Sequence, residues 1–386
     1  MNDKLRTAGD GITLWLAGDV MTGRGIDQIQ RHRCDPRLYE PWVRDARDYV
    51  RLAEQVNGPV PAPVELAYVW GEALAEIEAR QPDLRLINLE TAVTARGEPW
   101  PAKGIHYRMH PDNVGLLAAA SPDCCTLANN HVLDWGREGL DDTLQTLARA
   151  GIACAGAGAD EAAADAPAAL PLPGGGRLLV FARATADSGV PDGWRATARR
   201  SGVALLEGLG DASAQTFAAE VARWRRPGDR VLLSVHWGGN WGADIPAQQR
   251  RFARRLIDLG AVDLVHGHSS HCPRPHEVWQ GKLILYGCGD LINDYEGIGR
   301  EGPYDPAAVC LWFARIARES GFLQGLEIVP LRLRRLQLAR ADADARHSLR
   351  NLLLHDSDQF GIALAEQPDG SWRVDWRDGA GVMPQG

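Results

Sequence analysis

The chain has 386 residues, enough for one large domain or two of ordinary size, and 45% of its residues are apolar. Its formal net charge is −8 and it has no run dense in lysine or arginine, which argues against nucleic acid or an anionic membrane as the main partner. No apolar run approaches the roughly 18 residues of a membrane span. The first 19 residues lack the pattern of a signal peptide, and the seven cysteines form no CxxC pair, so we expect a reduced, cytoplasmic compartment.

Predicted strands and helices alternate along most of the chain. A strand at 12–17 runs into a glycine-rich turn, and the proline-rich segment 34–65 predicts an irregular insertion. Apolar residues at helical spacing predict helices at 66–80, 111–121, 137–151, 214–226 and 247–260. Between them, short apolar runs predict strands at 84–90, 123–130, 151–158, 177–183, 203–208, 229–238, 262–271 and 282–292.

The C-terminal part has a different pattern. From residue 305 onward the sequence is β-rich and antiparallel in character, with a predicted helix at 343–355. We therefore divide the chain into a main part, 1–304, and a β-rich C-terminal part, 305–386, packed on the same domain. The fold class predicted for the whole is mixed α/β.

Five predicted strands end in residues that can bind a metal ion. Ligand sites in open α/β sheets form at the carboxyl ends of strands, so these residues are expected on one rim. Taken singly, each has a plainer explanation, such as a helix cap or a buried histidine. The hypothesis depends on the set, which comprises Asp19, Glu90, Asn129–Asn130–His131, His236 and His268–His271.

Carboxylate, amide oxygen and imidazole together suit divalent ions of intermediate hardness, namely Mn, Zn, Fe or Ni. One such ion, or two, could be held, and paired ions of this kind activate water for attack on phosphorus. Trp237, beside His236, is a candidate wall of a ligand pocket, with core packing as its alternative. His276 falls in a proline-rich turn and is expected at the surface. A dinucleotide fingerprint, a P-loop, a GxSxG elbow and an HExxH helix are all missing from the sequence.

Five ordered motifs resemble those of the CapA-type poly-γ-glutamate (capsule) biosynthesis family, whose domain is similar to calcineurin-like metallophosphoesterases. They cover residues 12 to about 297. The resemblance implies a four-layer αββα sandwich, here with a β-rich C-terminal extension and with the site at the strand ends. The motifs are GDVMTGR (18–24), INLETAVT (87–94), LANNHVLDWGREGL (127–140), SVHWGGNW (234–241) and the segment 267–297, which begins GHSSH.

Carried over position by position, the resemblance implies a set of metal ligands that lie far apart in the sequence. The implied metal ligands are Asp19, Glu90, Asn130, His236, His268 and His271. The resemblance also implies that His131 meets the substrate's anionic oxygen or leaving group. We expect His131 to protonate the leaving oxygen while Asp134 accepts its other ring N–H. Arg24 is a candidate to pair with substrate phosphate or carboxylate. Asn129 is a candidate substrate-binding neighbour, with a hydrogen bond that fixes the backbone as its alternative.

Several features depart from the metallophosphoesterase pattern. Met21 stands where a histidine ligand is usual, Glu90 replaces an aspartate, and the aspartate after the Asn-His pair is displaced to Asp134. The closing motif is also stretched to GH-x-x-H. These departures argue against a standard two-metal centre, but one metal with His131 could suffice for hydrolysis. The expected function is metal-dependent hydrolysis of a phosphoester or related anionic substrate. The alternatives are a non-catalytic accessory protein that binds a glutamyl peptide or polymer, and a metal-dependent amide or γ-glutamyl hydrolase.

Overall fold

Two β-sheets stack face to face in the structure, a computed structural model that describes residues 11–298 and 304–377. The strands are β1 (Gly11–Val20), β2 (Leu84–Leu89), β3 (Ala92–Val93), β4 (Arg108–Met109), β5 (Cys124–Thr126), β6 (Ala153–Ala155), β7 (Ala157–Gly158), β8 (Ala168–Pro171), β9 (Arg177–Ala184), β10 (Gly202–Val203), β11 (Arg230–His236), β12 (Leu264–His268), β13 (His276–Trp279), β14 (Lys282–Leu285), β15 (Asp290–Ile292), β16 (Ala308–Ala317), β17 (Leu323–Leu333), β18 (Leu338–Arg340), β19 (Ile362–Glu366) and β20 (Trp372–Trp376).

The helices connect these strands and cover the sheets. They are α1 (Gly25–Gln28), α2 (Arg47–Asn57), α3 (Ala73–Arg80), α4 (Gly115–Ala118), α5 (Gly136–Arg149), α6 (Glu161–Asp165), α7 (Asp211–Trp224), α8 (Ala247–Asp258), α9 (Ala343–Leu353) and α10 (Ser357–Phe360). Within the described ranges, no helix combines the length and the apolar character that crossing a membrane requires. The signal-peptide expectation concerns residues 1–19, of which 1–10 lie outside the described residues.

The larger sheet has ten strands in the order β19-β20-β17-β16-β1-β2-β5-β6, with β15 beside β1 and β18 beside β17. Its strands β1, β2, β5 and β6 are parallel to one another. Strand β1 pairs with the antiparallel β16 over its first half and with the parallel β15 at its end. The C-terminal part therefore contributes β16 to β20 to the same sheet as the first strand of the chain.

The smaller sheet has six strands in the order β13-β14-β12-β11-β9-β8. Three contacts join its inner face to that of the larger sheet. The Ser234 hydroxyl donates to Thr126 Oγ1 at 3.1 Å, His266 Nε2 lies 2.9 Å from the Ala17 carbonyl oxygen, and the rings of His276 and Trp312 are 5.7 Å apart. One large cluster of buried apolar side chains includes residues of both sheets, and its burial is a main contribution to the stability of the fold.

Helical elements cover both outer faces. On the larger sheet, Trp15 of β1 packs edge-on against Trp70, in a single helical turn before α3, with ring centroids 6.1 Å apart. On the smaller sheet, Phe181 of β9 packs against Phe217 of α7 at 5.4 Å. The order helix, sheet, sheet, helix confirms the predicted α/β sandwich.

Two local predictions were wrong. The segment 34–65 contains helix α2, because its prolines lie outside Arg47–Asn57 and because Tyr49 and Ala53, four residues apart, bury one helical face. His276 was expected in a surface turn, but it begins β13 and is fully buried. Its position between the two sheets follows from long-range strand pairing, which local sequence does not report.

Candidate metal centre

The strand ends of both sheets meet at one edge of the sandwich. In the larger sheet β1 and β2 are parallel, which brings Asp19 level with Asn88, two residues before Glu90. In the smaller sheet β11 and β12 are parallel, with His236 level with His268. Two groups of buried side chains result, and within each group one ligand atom per residue lies within 4.8 Å of the others. The groups are Asp19, Glu90 and His236, and Asp19, His271 and Asp290.

The first group, of Asp19, Glu90 and His236, joins the two sheets. His236 Nε2 lies 3.7 Å from Glu90 Oε1. The amide of Asn88 donates to Asp19 Oδ1 at 2.7 Å and reaches Glu90 Oε2 at 3.4 Å, which fixes both carboxylates. Asp19 Oδ2 and His236 Nδ1 are buried and have no hydrogen-bond partner among the described residues. Unpartnered buried polar atoms of this kind fit a site for a divalent cation.

The second group contains a residue that the sequence analysis missed. Asp290 begins β15 and stands opposite Asp19 in the parallel pairing of β1 with β15. Its Oδ1 lies 2.8 Å from His271 Nδ1, and its Oδ2 accepts a hydrogen bond from Asn293 at 2.9 Å. The signal was present in the sequence, because Asp290 follows the apolar run 283–286 just as Asp19 follows 12–17.

Burial of these carboxylates shifts their pKa values in different directions. Burial raises the pKa of Asp290 to about 6, and burial together with the neighbouring Asp19 raises the pKa of Glu90 well above its ordinary value. Burial acts upward on Asp19 too, but the hydrogen bond with His268 and the nearby histidines hold its pKa well below the ordinary value. Three neighbouring buried carboxylates therefore have little positive charge close to them. A bound cation would supply that charge.

His131 lies beside the first group and belongs to a chain of polar contacts. Its Nδ1 is 2.6 Å from Asp134 Oδ2, and its Nε2 is 3.8 Å from Glu90 Oε1. Lys103 pairs with Asp134 Oδ1 at 2.7 Å and lies 3.1 Å from His131 Nδ1. Burial, reinforced by the Lys103 charge, lowers the pKa of His131 to about 4 despite the opposing Asp134. Lys103 was missed by the sequence analysis, because it lies in a loop without a motif.

The two asparagines before His131 have different environments. Asn129 uses both ends of its amide within the protein. It donates to the Leu89 carbonyl at 2.9 Å and accepts from the backbone N–H groups of His131 and Val132 at 3.1 Å each. These contacts favour the alternative of a fixed backbone over substrate binding. Asn130 Oδ1, in contrast, is buried without a hydrogen-bond partner among the described residues, as a metal ligand would be.

His268 contacts the shared carboxylate. Its Nδ1 lies 3.4 Å from Asp19 Oδ1 and its Nε2 lies 2.9 Å from the Ser234 hydroxyl. It is therefore positioned to bind a cation itself or to orient Asp19.

Arg24 is not free to bind a substrate anion. Its guanidinium forms ion pairs with Asp294 and Glu40 and donates to the Tyr49 hydroxyl at 2.9 Å. The rings of Tyr49 and Tyr107 cover it, with centroids 3.8 and 4.4 Å from the guanidinium carbon. These contacts correct the expectation that Arg24 pairs with substrate.

Trp237 is likewise removed from the site. Its indole N–H donates to the Tyr286 carbonyl at 2.9 Å and its ring stacks on Tyr286, fully buried. The predicted pocket wall is thus a core residue. Trp241 lies beside the site instead. Its ring is 5.1 Å from that of His271, and 47% of its surface is exposed. It lines a cleft of about 290 Å³ next to the second group, together with Tyr295 and Trp42.

Comparisons with known proteins agree with the motifs. The family model described as "Bacterial capsule synthesis protein PGA_cap" matches residues 13–295. A "probable polyglutamine synthesis accessory protein" of Mycobacterium tuberculosis is 47% identical over 361 residues, covering 93% of this chain and 95% of that protein. The "PGA biosynthesis protein CapA" of Bacillus subtilis is 29% identical over 295 residues, covering 75% of this chain and 66% of that one.

Among solved structures, one similar chain is described as a novel phosphatase from Mycoplasma pneumoniae. It is 10% identical, with a TM-score of 0.46 over 89% of this chain and 99% of that one.

Proposed function

Because this chain belongs to the bacterial capsule synthesis family PGA_cap, we propose that it is a metal-dependent hydrolase of a phosphoester or a related anionic substrate. The observation that carries the proposal is the first group, Asp19, Glu90 and His236, with Asp19 Oδ2 unpartnered and His131 alongside. Asn130 Oδ1 would complete this ligand set. Mn, Zn, Fe and Ni all suit such ligands.

A divalent cation bound by these residues would polarise a substrate oxygen and lower the pKa of a bound water. The protein's own part is proton handling. With a pKa of about 4, His131 is neutral at pH 7, and Asp134 holds the proton on Nδ1. The unprotonated Nε2 then faces Glu90 and the site, where it can accept a proton and return it to a leaving oxygen.

Asp134 and Lys103 act through His131. Asp134 is fully buried, and its carboxylate would stabilise the imidazolium that forms when Nε2 takes a proton. Lys103 opposes that charge, because its Nζ lies 3.1 Å from His131 Nδ1. The pair therefore sets how readily His131 gives its proton back.

The experiment that tests this proposal measures metal content and hydrolysis on the same preparation. The purified chain is treated with a chelator, reloaded with Mn²⁺ or Zn²⁺, and assayed on aryl phosphoesters beside γ-glutamyl amides. We expect phosphoester turnover that disappears with the chelator, returns with metal and is lost in Glu90→Gln. Full turnover by metal-free protein would overturn the proposal, and turnover of the amides alone would move the substrate class to γ-glutamyl bonds.

A second candidate function is a non-catalytic accessory role in making or handling a glutamyl polymer. It is favoured by the description of the relative that is 47% identical as an accessory protein. Under this candidate the metal-loaded chain binds poly-γ-glutamate without turnover of any ester or amide, and His131→Ala binds it equally well.

A further inference from the structure

The two groups of candidate ligands have one residue in common, Asp19. Its two carboxylate oxygens have different surroundings. Oδ1 accepts the Asn88 hydrogen bond at 2.7 Å, whereas Oδ2 is buried without a partner among the described residues. Oδ2 is therefore the Asp19 oxygen that is free to contact a cation, and Asp19 lies within reach of both groups.

Met21 contributes nothing to such a site. It is fully buried, and its sulfur accepts a hydrogen bond from the Tyr295 hydroxyl at 3.8 Å. A carboxylate arrives instead from another part of the chain, since the pairing of β1 with β15 sets Asp290 directly beside Asp19. The strand ladder thus supplies a ligand that the segment after Asp19 lacks.

We propose that Asp290 is a ligand of a second divalent cation, bound together with Asp19 and His271, and that it replaces the ligand that Met21 does not provide; this site shares Asp19 with the first group. The inference deepens the proposed function, on which it depends for the first cation. The chemical class of ligand is a cation that accepts carboxylate and imidazole together, for which Mn²⁺ is the probe.

The spacing within the group suits a common cation. Two adjacent ligands of an octahedral ion, each bonded at about 2.1 Å, lie about 3 Å apart. His271 Nδ1 and Asp290 Oδ1 are 2.8 Å apart, close to that value. The other Asp290 oxygen is held by Asn293, so Oδ1 is the atom that points to the shared position.

The charge in the group also favours a bound cation. Asp19 and Asp290 are both buried, with at most 1% of either exposed. Within residues 11–298 and 304–377, these two carboxylates form ion pairs with histidines and none with lysine or arginine. Two adjacent buried carboxylates without a permanent positive partner are costly to maintain.

The same distances are also consistent with one competing arrangement. Asp290 could act as an outer partner that only orients His271, while His271 binds a cation through Nε2. The two arrangements differ in what happens when Asp290 loses its charge. A lost ligand removes one bound ion, whereas a lost outer partner weakens binding without changing the number of ions.

The test counts the ions. The full chain, metal-depleted and reloaded with Mn²⁺, is analysed for Mn²⁺ per chain and by electron paramagnetic resonance. We expect two ions per wild-type chain with the spectrum of a coupled pair, and one ion in both Asp290→Asn and His271→Gln. The control is Glu277→Gln, a buried carboxylate that pairs with Arg254 and lies outside both groups; it should keep two.

Each other outcome is decisive. Two ions in Asp290→Asn with weaker affinity would show that Asp290 only orients His271, and two uncoupled ions in the wild type would overturn the sharing of Asp19. A single ion in the wild type would overturn the second site and leave the proposed function standing. No bound ion at all would overturn both. If Asp290→Asn does not fold, as judged by its melting curve, His271→Gln decides the same question.

Discussion

Asp19 and Asp290 stand directly opposite each other on the parallel strands β1 and β15. One belongs to the first strand of the sandwich, and the other lies more than 270 residues later in the sequence. Their pairing places two carboxylates side by side in the interior, where their ion pairs among the described residues are with histidines. This arrangement is the physical basis of the proposed cation sites.

Removing the His131 imidazole should slow turnover without removing metal. We expect His131→Ala to lower kcat by about 10²- to 10⁴-fold, the usual contribution of a positioned acid or base. Metal content should be unchanged, because Asp19, Glu90 and His236 remain. Steady-state kinetics with metal analysis checks this, with His276→Gln as a control in a buried histidine outside the site. An unchanged kcat in His131→Ala would contradict the proton-transfer role.

Lys103 should govern the protonation of His131. Its positive charge, 3.1 Å from Nδ1, disfavours a second positive charge on the imidazole and so contributes to the low pKa of His131, about 4. In Lys103→Met the pKa of His131 should therefore rise. NMR titration of the imidazole in metal-free protein measures it, and Lys282→Met, which removes a lysine paired with Asp263, should leave it unmoved. A fall in the pKa would mean that the charge of Lys103 is not the cause.

Substitutions of Asn129 and Asn130 should have different effects, the first on stability and the second on metal binding. Asn129→Ala leaves the buried N–H groups of His131 and Val132 without their acceptor, a loss of about 1–3 kcal/mol in the free energy of unfolding. Asn130→Ala removes an oxygen that has no partner among the described residues and should lower Mn²⁺ affinity with little change in stability. Denaturant unfolding of the metal-free chain and calorimetric titration distinguish them. Equal effects of the two variants on both quantities would refute this division.

Metal stabilisation should weaken below pH 6. Burial raises the pKa of Asp290 to about 6, so the folded metal-free chain takes up a proton there as the pH falls through that value. A cation must displace this proton, and its apparent affinity then drops. The difference in Tm between Mn²⁺-loaded and chelator-treated protein should be larger at pH 7.5 than at pH 5.5. In Asp290→Asn the difference should depend less on pH; an identical dependence in both proteins would count against this assignment.

Much of the fold could be predicted from the sequence, because predicted strands and helices alternate as they do in an α/β sheet. Candidate ligand residues follow several of the predicted strands. Asp19, Glu90 and His236 meet as the pattern implied, since parallel strands carry their carboxyl ends to one edge. Arg24 shows that a local sequence pattern does not reveal the ion pairs a side chain forms with distant residues. Its ion pair with Asp294 spans 270 residues, so nothing near Arg24 in the sequence marks it as already neutralised.

Asp290 and Lys103 were missed for a related reason. Asp290 reaches the site only because β15 pairs with β1. Lys103 reaches it only because its loop lies beside Asp134. Asn129 and Trp237 were assigned to substrate because they adjoin site residues in sequence. Side chains next to a ligand in sequence often point into the core, as the contact of Trp237 with Tyr286 shows.

The measurement that most directly tests metal-dependent hydrolysis is turnover of an aryl phosphoester by chelator-treated chain as Mn²⁺ is added back. Wild-type turnover should rise with bound Mn²⁺ and saturate when the ligand groups are filled, while Glu90→Gln stays near background at every concentration. Turnover that is independent of Mn²⁺, or a fully loaded wild-type chain that hydrolyses neither phosphoesters nor γ-glutamyl amides, would contradict a metal-dependent hydrolase.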